Sequence, residues 1–141
     1  MKIVINKCFG GFSVSIAATK RWNELKDRPC YIFVPPEDNI VGKGVPYIEG
    51  MRCPLGIYFA YNVSEGRPDN ADSNWDKAHD VSIDRKHRAD PDFVKVVEEL
   101  GSAANGRFAL LSIVEIPDDV QWEINNYDGM ESVEETHRSW S

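Results

Sequence analysis

The chain has 141 residues, 42% of them hydrophobic and 28% charged, and a formal net charge of -7. That length suits one domain, able to bury roughly two-thirds of its unfolded surface without disulfide or metal staples, and the composition excludes a disordered or fibrous chain. The negative charge opposes a duplex-nucleic-acid surface, which is ordinarily basic, and no run of about 18 apolar residues is present to cross a membrane.

Lys2 to Asn6, KIVIN, is short and rich in β-branched residues, so it predicts a strand at the start of the chain. Cys8 to Phe12 follows as a glycine-centred turn. From Val14 to Lys26 the pattern is helical, with Ala18, Trp22 and Leu25 on one face and Ser13 or Ser15 as the cap. Pro29 stops it. Cys30 to Val34 predicts a second strand ended by Pro35-Pro36. Residues 37 to 55 read as loop with one short strand at most, and Leu55 to Asn62 as a further strand. Residues 63 to 79 read as a mobile polar loop in which Trp75 has no periodic partner.

Asp90-Pro91 predicts a helix start, because aspartate caps free amides and proline at the first position loses none that is needed. Phe93, Val96, Val97 and Leu100 form its apolar stripe, and Gly101 ends it. Phe108 to Ile116 and Val120 to Ile124 predict two strands paired as a hairpin through Pro117-Asp118-Asp119. Asp128-Gly129-Met130-Glu131 fits a capping box opening a last short helix to His137. These elements predict a single α+β (or α/β) domain over residues 1–141: a mixed sheet of about five or six strands, two longer helices and a short C-terminal helix.

Three places carry candidate chemistry. The strand–glycine–helix junction offers Lys7, Phe9, Gly10, Gly11, Phe12 and Ser13, because outward amides at such a turn suit phosphate or carboxylate. The plain alternative is a tight turn needing positive φ. Arg85-Lys86-His87-Arg88 is the one dense basic run. As a strand end it would alternate, sending Arg85 and Arg88 to opposite sides, and its plain alternative is a solvated surface. The tail offers Tyr127-Asp128-Gly129, Glu131, His137, Arg138 and Trp140, with Met130, Val133 and His137 on one helical face: its aromatic residues suit a stacked base and Arg138 a phosphate, and the alternative is a capped helix packed on the sheet. Cys8, Cys30 and Cys53 are odd in number and widely spaced, and the histidines His79, His87 and His137 are scattered. We therefore expect free thiols in a reducing compartment, no metal and no cofactor. The N-terminal MKIVINKCFGG lacks the long apolar core of a signal peptide.

The opening KIVINKCFGGFSVS and the stretch ADPDFVKVVEELGSAANGRFALLSIVEIPDDVQWEINNYDGMESVEETHRSW together make up about half of the chain. In order and in detail they resemble a family of small bacteriophage and prophage proteins. After the glycine turn an acidic residue is expected in the first helical turn, where this chain has Ile16-Ala17-Ala18, so no helix-start ligand is carried over. The resemblance implies a phage origin and a host-cytoplasm setting, and it supplies no catalytic residues. On that setting and the anion-site chemistry, the expected function is a non-catalytic binder of a nucleotide-like anionic small molecule, sequestering a host immune signal. The first alternative is a protein-interaction inhibitor whose acidic surface blocks a host protein. The second is a small enzyme acting on nucleotides. The expected partners are thus a nucleotide-like ligand or a host protein, with no duplex nucleic acid and no membrane, and with an oligomer allowed.

Overall fold

The computed structural model describes residues 1–35, 44–49 and 56–135. They form three α-helices and seven short strands, all paired antiparallel, in three small sheets. The architecture is α+β. The expected single mixed sheet is replaced by these three, and the α/β alternative fails because no described strand pair is parallel. The chain divides into two compact units, 1–18 with 84–141, and 19–83.

In the first unit, β1 (Lys2–Asn6) pairs with β5 (Leu111–Glu115), and Ile3, Val4, Ile5 and Asn6 are all buried. Helix α3 (Pro91–Leu100) covers β1 with Phe93, Val94, Val96 and Val97, as the apolar stripe requires. Asp90 caps α3 through Oδ1, which accepts from the amides of Asp92 and Phe93 at 2.8 and 3.3 Å. Asp90→Ala should therefore lower the chemical-denaturation midpoint by the equivalent of about 1 kcal/mol; an unchanged midpoint would show that the cap is dispensable. Gly101 ends the helix at φ 56. At the start of α1 (Ile16–Leu25), Ser15 is the cap, its Oγ accepting the Ala18 amide at 3.1 Å.

Two expectations for the C-terminal third are overturned. Phe108 to Ile116 does not pair with the strand that follows, because β5 joins β1 and the Ile116 amide continues that ladder to the Met1 carbonyl. The hairpin is instead β6 (Trp122–Tyr127) with β7 (Met130–Glu135). Asp128-Gly129 is its two-residue turn, with φ 52 and 93, the paired positive values that match the right-handed twist of the flanking strands. Met130 to Glu135 is therefore strand, and no capping box opens a helix there. The remaining tail, with His137, Arg138 and Trp140, lies outside the described residues, as does Cys53.

In the second unit, β2 (Tyr31–Val34) lies between β3 (Val45–Pro46) and β4 (Phe59–Tyr61). Ile32, Phe33, Val34, Ala60, Val81 and Ile83 are buried with Trp22 of α1. The expected loop over 63–79 runs only to Asp72. That residue caps a third helix, α2 (Ser73–His79), and Trp75 within it packs edge-on to Tyr61 at 4.9 Å and stacks on His79 at 4.4 Å. A helical spacing of four thus supplies the partner that Trp75 lacked in sequence. Most of the segment from 37 to 55 lies outside the described residues.

Candidate functional site

Carbonyls and amides alternate sides along a strand, so β1 turns one set toward β5 and the other toward its opposite edge. That opposite edge is met by the Arg88 backbone and by side chains rather than by another described strand. The Val4 amide donates to the Arg88 carbonyl at 2.9 Å, and the Val4 carbonyl accepts from Arg88 Nη1 at 3.1 Å. The Asn6 amide donates to Glu131 Oε1 at 2.8 Å. Arg88 and Glu131 face each other fork to fork, Nη1 on Oε1 at 2.6 Å and Nη2 on Oε2 at 2.5 Å, with side chains 5% and 1% exposed. The Phe12 ring lies under the guanidinium, 4.2 Å from it, and meets Phe93 edge-on at 6.1 Å. Among the described residues no strand joins β1 on that edge, and its sheet ends there.

Asn6, fully buried, is the second polar hub. Its amide nitrogen donates to the carbonyls of Cys8 and Gly129, each at 2.7 Å, and its Oδ1 accepts the Leu110 amide at 2.9 Å. One side chain thereby ties the glycine turn to the hairpin tip and to the start of β5. The turn is tightly held on both sides. A Cβ on Gly10 would sit 1.9 Å from the Phe108 carbonyl oxygen, and one on Gly129 2.5 Å from the Phe9 carbonyl oxygen. Glycine at 10 and 129 is thus a packing requirement, and Gly11, at φ 92, a conformational one.

This polar frame carries an apolar surface. Phe9, Phe108, Leu110, Tyr127 and Met130 are all exposed large hydrophobic residues, Tyr127 at 77% and Phe108 at 63%. Their backbones lie close together: Gly10 packs on the Phe108 carbonyl, Gly129 on the Phe9 carbonyl, the Leu110 carbonyl accepts the Lys7 amide, and Tyr127 pairs with Met130. Phe108 also holds φ at 68, a region that L-residues with bulky side chains rarely enter. The fold itself holds the Phe108 backbone there: its carbonyl packs against Gly10 and accepts from Cys8 Sγ at 2.7 Å. Phe108→Gly should leave the melting temperature unchanged or raised, since it relieves the strain and removes little buried surface. A fall of several degrees would mean that the ring supports the fold.

The residues singled out from sequence fall around this frame in different ways. Lys7, Phe9, Gly10, Gly11, Phe12, Ser13, Arg88 and Tyr127 all belong to the first unit. Phe12 and Arg88 are in contact, and Ser13 donates to the Arg107 carbonyl at 3.3 Å. The basic run is no strand end. Asp84 Oδ1 accepts the Lys86 amide and caps a 3-10 turn over Arg85–His87, so strand alternation does not apply. Arg85 is exposed on that turn, whereas Arg88 is buried with its fork filled by an internal carboxylate. Arg138 lies outside the described residues. Sequence reasoning missed Arg107, Phe108 and Leu110, and the partners of Asn6 and Glu131. The dipeptide Asp128-Gly129 between alternating Trp122, Ile124 and Val133 was the available signal for the hairpin. Phe108 has no sequence signal, because its conformation follows from contact with Gly10.

No family model, curated protein or solved structure matches this chain. Among the described residues, no group of three or more His, Cys, Asp or Glu is placed to hold a metal ion, and no helix is long and apolar enough to cross a membrane. Of the free thiols Cys8 and Cys30, burial pushes the second up and makes it a poor nucleophile.

Proposed function

We propose that this protein is a non-catalytic binding protein that acts through protein contact, with the apolar cluster at the hairpin tip as its contact face. The observation that carries the reading is the exposure of Phe9, Phe108, Leu110, Tyr127 and Met130 on neighbouring backbone segments tied together by buried Asn6 and the Arg88–Glu131 pair. Solvent-exposed apolar residues grouped in this way favour a partner surface, and aromatic residues in such a group tend to dominate binding. The setting implied by the sequence resemblance makes that partner a host protein, which a phage protein would block by occupying one of its surfaces. Immobilised wild-type protein should retain a discrete host protein from a bacterial lysate. Phe9→Ala and Tyr127→Ala, both folded, should lose it. Equal retention by the variants would reject this contact face.

A second reading keeps the nucleotide-like anionic ligand, favoured by one observation. The Arg107 guanidinium lies 4.9 Å from the centre of the exposed Phe108 ring, so a stacked base and a phosphate would both find partners there. Thermal shift against cyclic nucleotides, mononucleotides and ADP-ribose derivatives separates the two. A ligand bound only by the native state raises the melting temperature with its concentration, and a flat panel would reject this second reading.

A further inference from the structure

We propose that in the free protein the contact face is covered by a second copy of the chain, paired about a two-fold axis. The inference rests on the contact-face reading above and adds its electrostatics. The face has a basic end, an apolar centre and an acidic end. At the basic end are exposed Lys7, bonded through its amide to Leu110, and exposed Arg107, beside Phe108. At the other, beyond Tyr127 and Met130, the solvent side of the β6–β7 hairpin presents Glu123 and Glu134, which are direct cross-strand partners.

Two like charges placed opposite each other weaken a hairpin. Asn125 donates to Glu134 at 3.0 Å, but among the described residues neither glutamate has a cationic partner. Lys7 and Arg107 likewise have no carboxylate partner there. One surface therefore carries unneutralised charge of both signs on either side of exposed apolar residues. A two-fold contact applies the same patch to itself with its direction reversed. It would set Lys7 and Arg107 of one copy against Glu123 and Glu134 of the other at both ends, with the apolar centres closing on each other. Two chains of net charge -7 repel at a distance, but within a Debye length of about 8–10 Å the local pairing decides. The same pairing would keep the face from other partners until the copies separate.

The test is sedimentation equilibrium on the wild type and on two charge-reversed variants. One carries Lys7→Glu with Arg107→Glu, the other Glu123→Lys with Glu134→Lys; circular dichroism and melting confirm that each is folded. The wild type should dimerise with rising concentration. Each variant alone should self-associate at least about tenfold more weakly, because like charges then meet at both ends. An equimolar mixture of the two should recover the dimer, since acid again meets base. A wild type that stays monomeric throughout overturns the proposal, as do variants that dimerise like the wild type or a mixture that fails to pair. If the wild type is monomeric yet Phe9→Ala abolishes capture of the host protein, self-pairing is overturned and the contact face stands. If charge reversal separates the copies while Phe9→Ala and Tyr127→Ala affect neither dimer nor capture, the apolar contact face is overturned.

Discussion

Glu131→Ala should lower the free energy of unfolding by about 3–5 kcal/mol, the range expected when one member of a buried ion pair is removed. The loss has little to do with the attraction of the two charges, which is largely offset by their desolvation. It comes from what is left behind. Arg88 would remain buried with an empty fork, and the Asn6 amide would lose its acceptor on the edge of β1. Equilibrium denaturation in urea measures it, with the Arg88→Met, Glu131→Leu double variant as the control. Removing both charges should cost less than the sum of the two single losses, because neither charge is then stranded. Strict additivity would show that the two side chains act independently. A loss below about 1 kcal/mol for Glu131→Ala would place the pair with exposed ion pairs, which contribute little.

The second large effect is expected at Asn6. Asn6→Asp preserves shape and volume, so packing is not disturbed, yet the change replaces a double donor by an acceptor. The carbonyls of Cys8 and Gly129 lose their hydrogen bonds and face a buried carboxyl instead. Each buried group left unsatisfied costs about 1–3 kcal/mol, so a loss of several kcal/mol is expected, again read from urea denaturation. The glycine turn and the hairpin tip should show it first, as accelerated amide exchange around Cys8, Gly11 and Gly129. Uniform exchange across the first unit would mean that Asn6 supports the whole unit rather than the junction.

Where the sequence could be read, the signals were local. KIVIN, the serine before α1 and Asp90-Pro91 each specify an element within a few residues, and all three elements are present. Asp128-Gly129 shows the limit. The same four residues satisfy a capping box and a hairpin turn, and what decides between them is the burial of Glu131 against an arginine 43 positions away. The single mixed sheet failed for a related reason. Five or six strands were expected and seven are present among the described residues, because Met130 to Glu135 read as helix, and nothing near β1 in sequence shows that its outer edge is bonded by Arg88 and Glu131. At the candidate site, Arg88 was legible as an arginine in want of an anion, and that anion is supplied by the chain itself. Trp75 was visible as an apolar residue without a partner only because the helix that gives it His79 lay in a segment read as loop.

The sealed edge of β1 has a consequence for synthesis. Residues 2–6 are made long before their ladder partners, residues 111–115, and among the described residues the last group to reach their outer edge is Glu131. At about 5–20 residues per second, the strand waits on the order of ten seconds for that carboxylate. During that interval an apolar, β-prone segment with two unpaired edges stands exposed, the condition under which chains join edge to edge. The unit formed by 19–83 is one continuous stretch of chain, so its strands can pair while the rest is still being made. Nascent chains halted before residue 131 should therefore depend on chaperones holding KIVIN, and the emergence of Glu131 is the step that frees them.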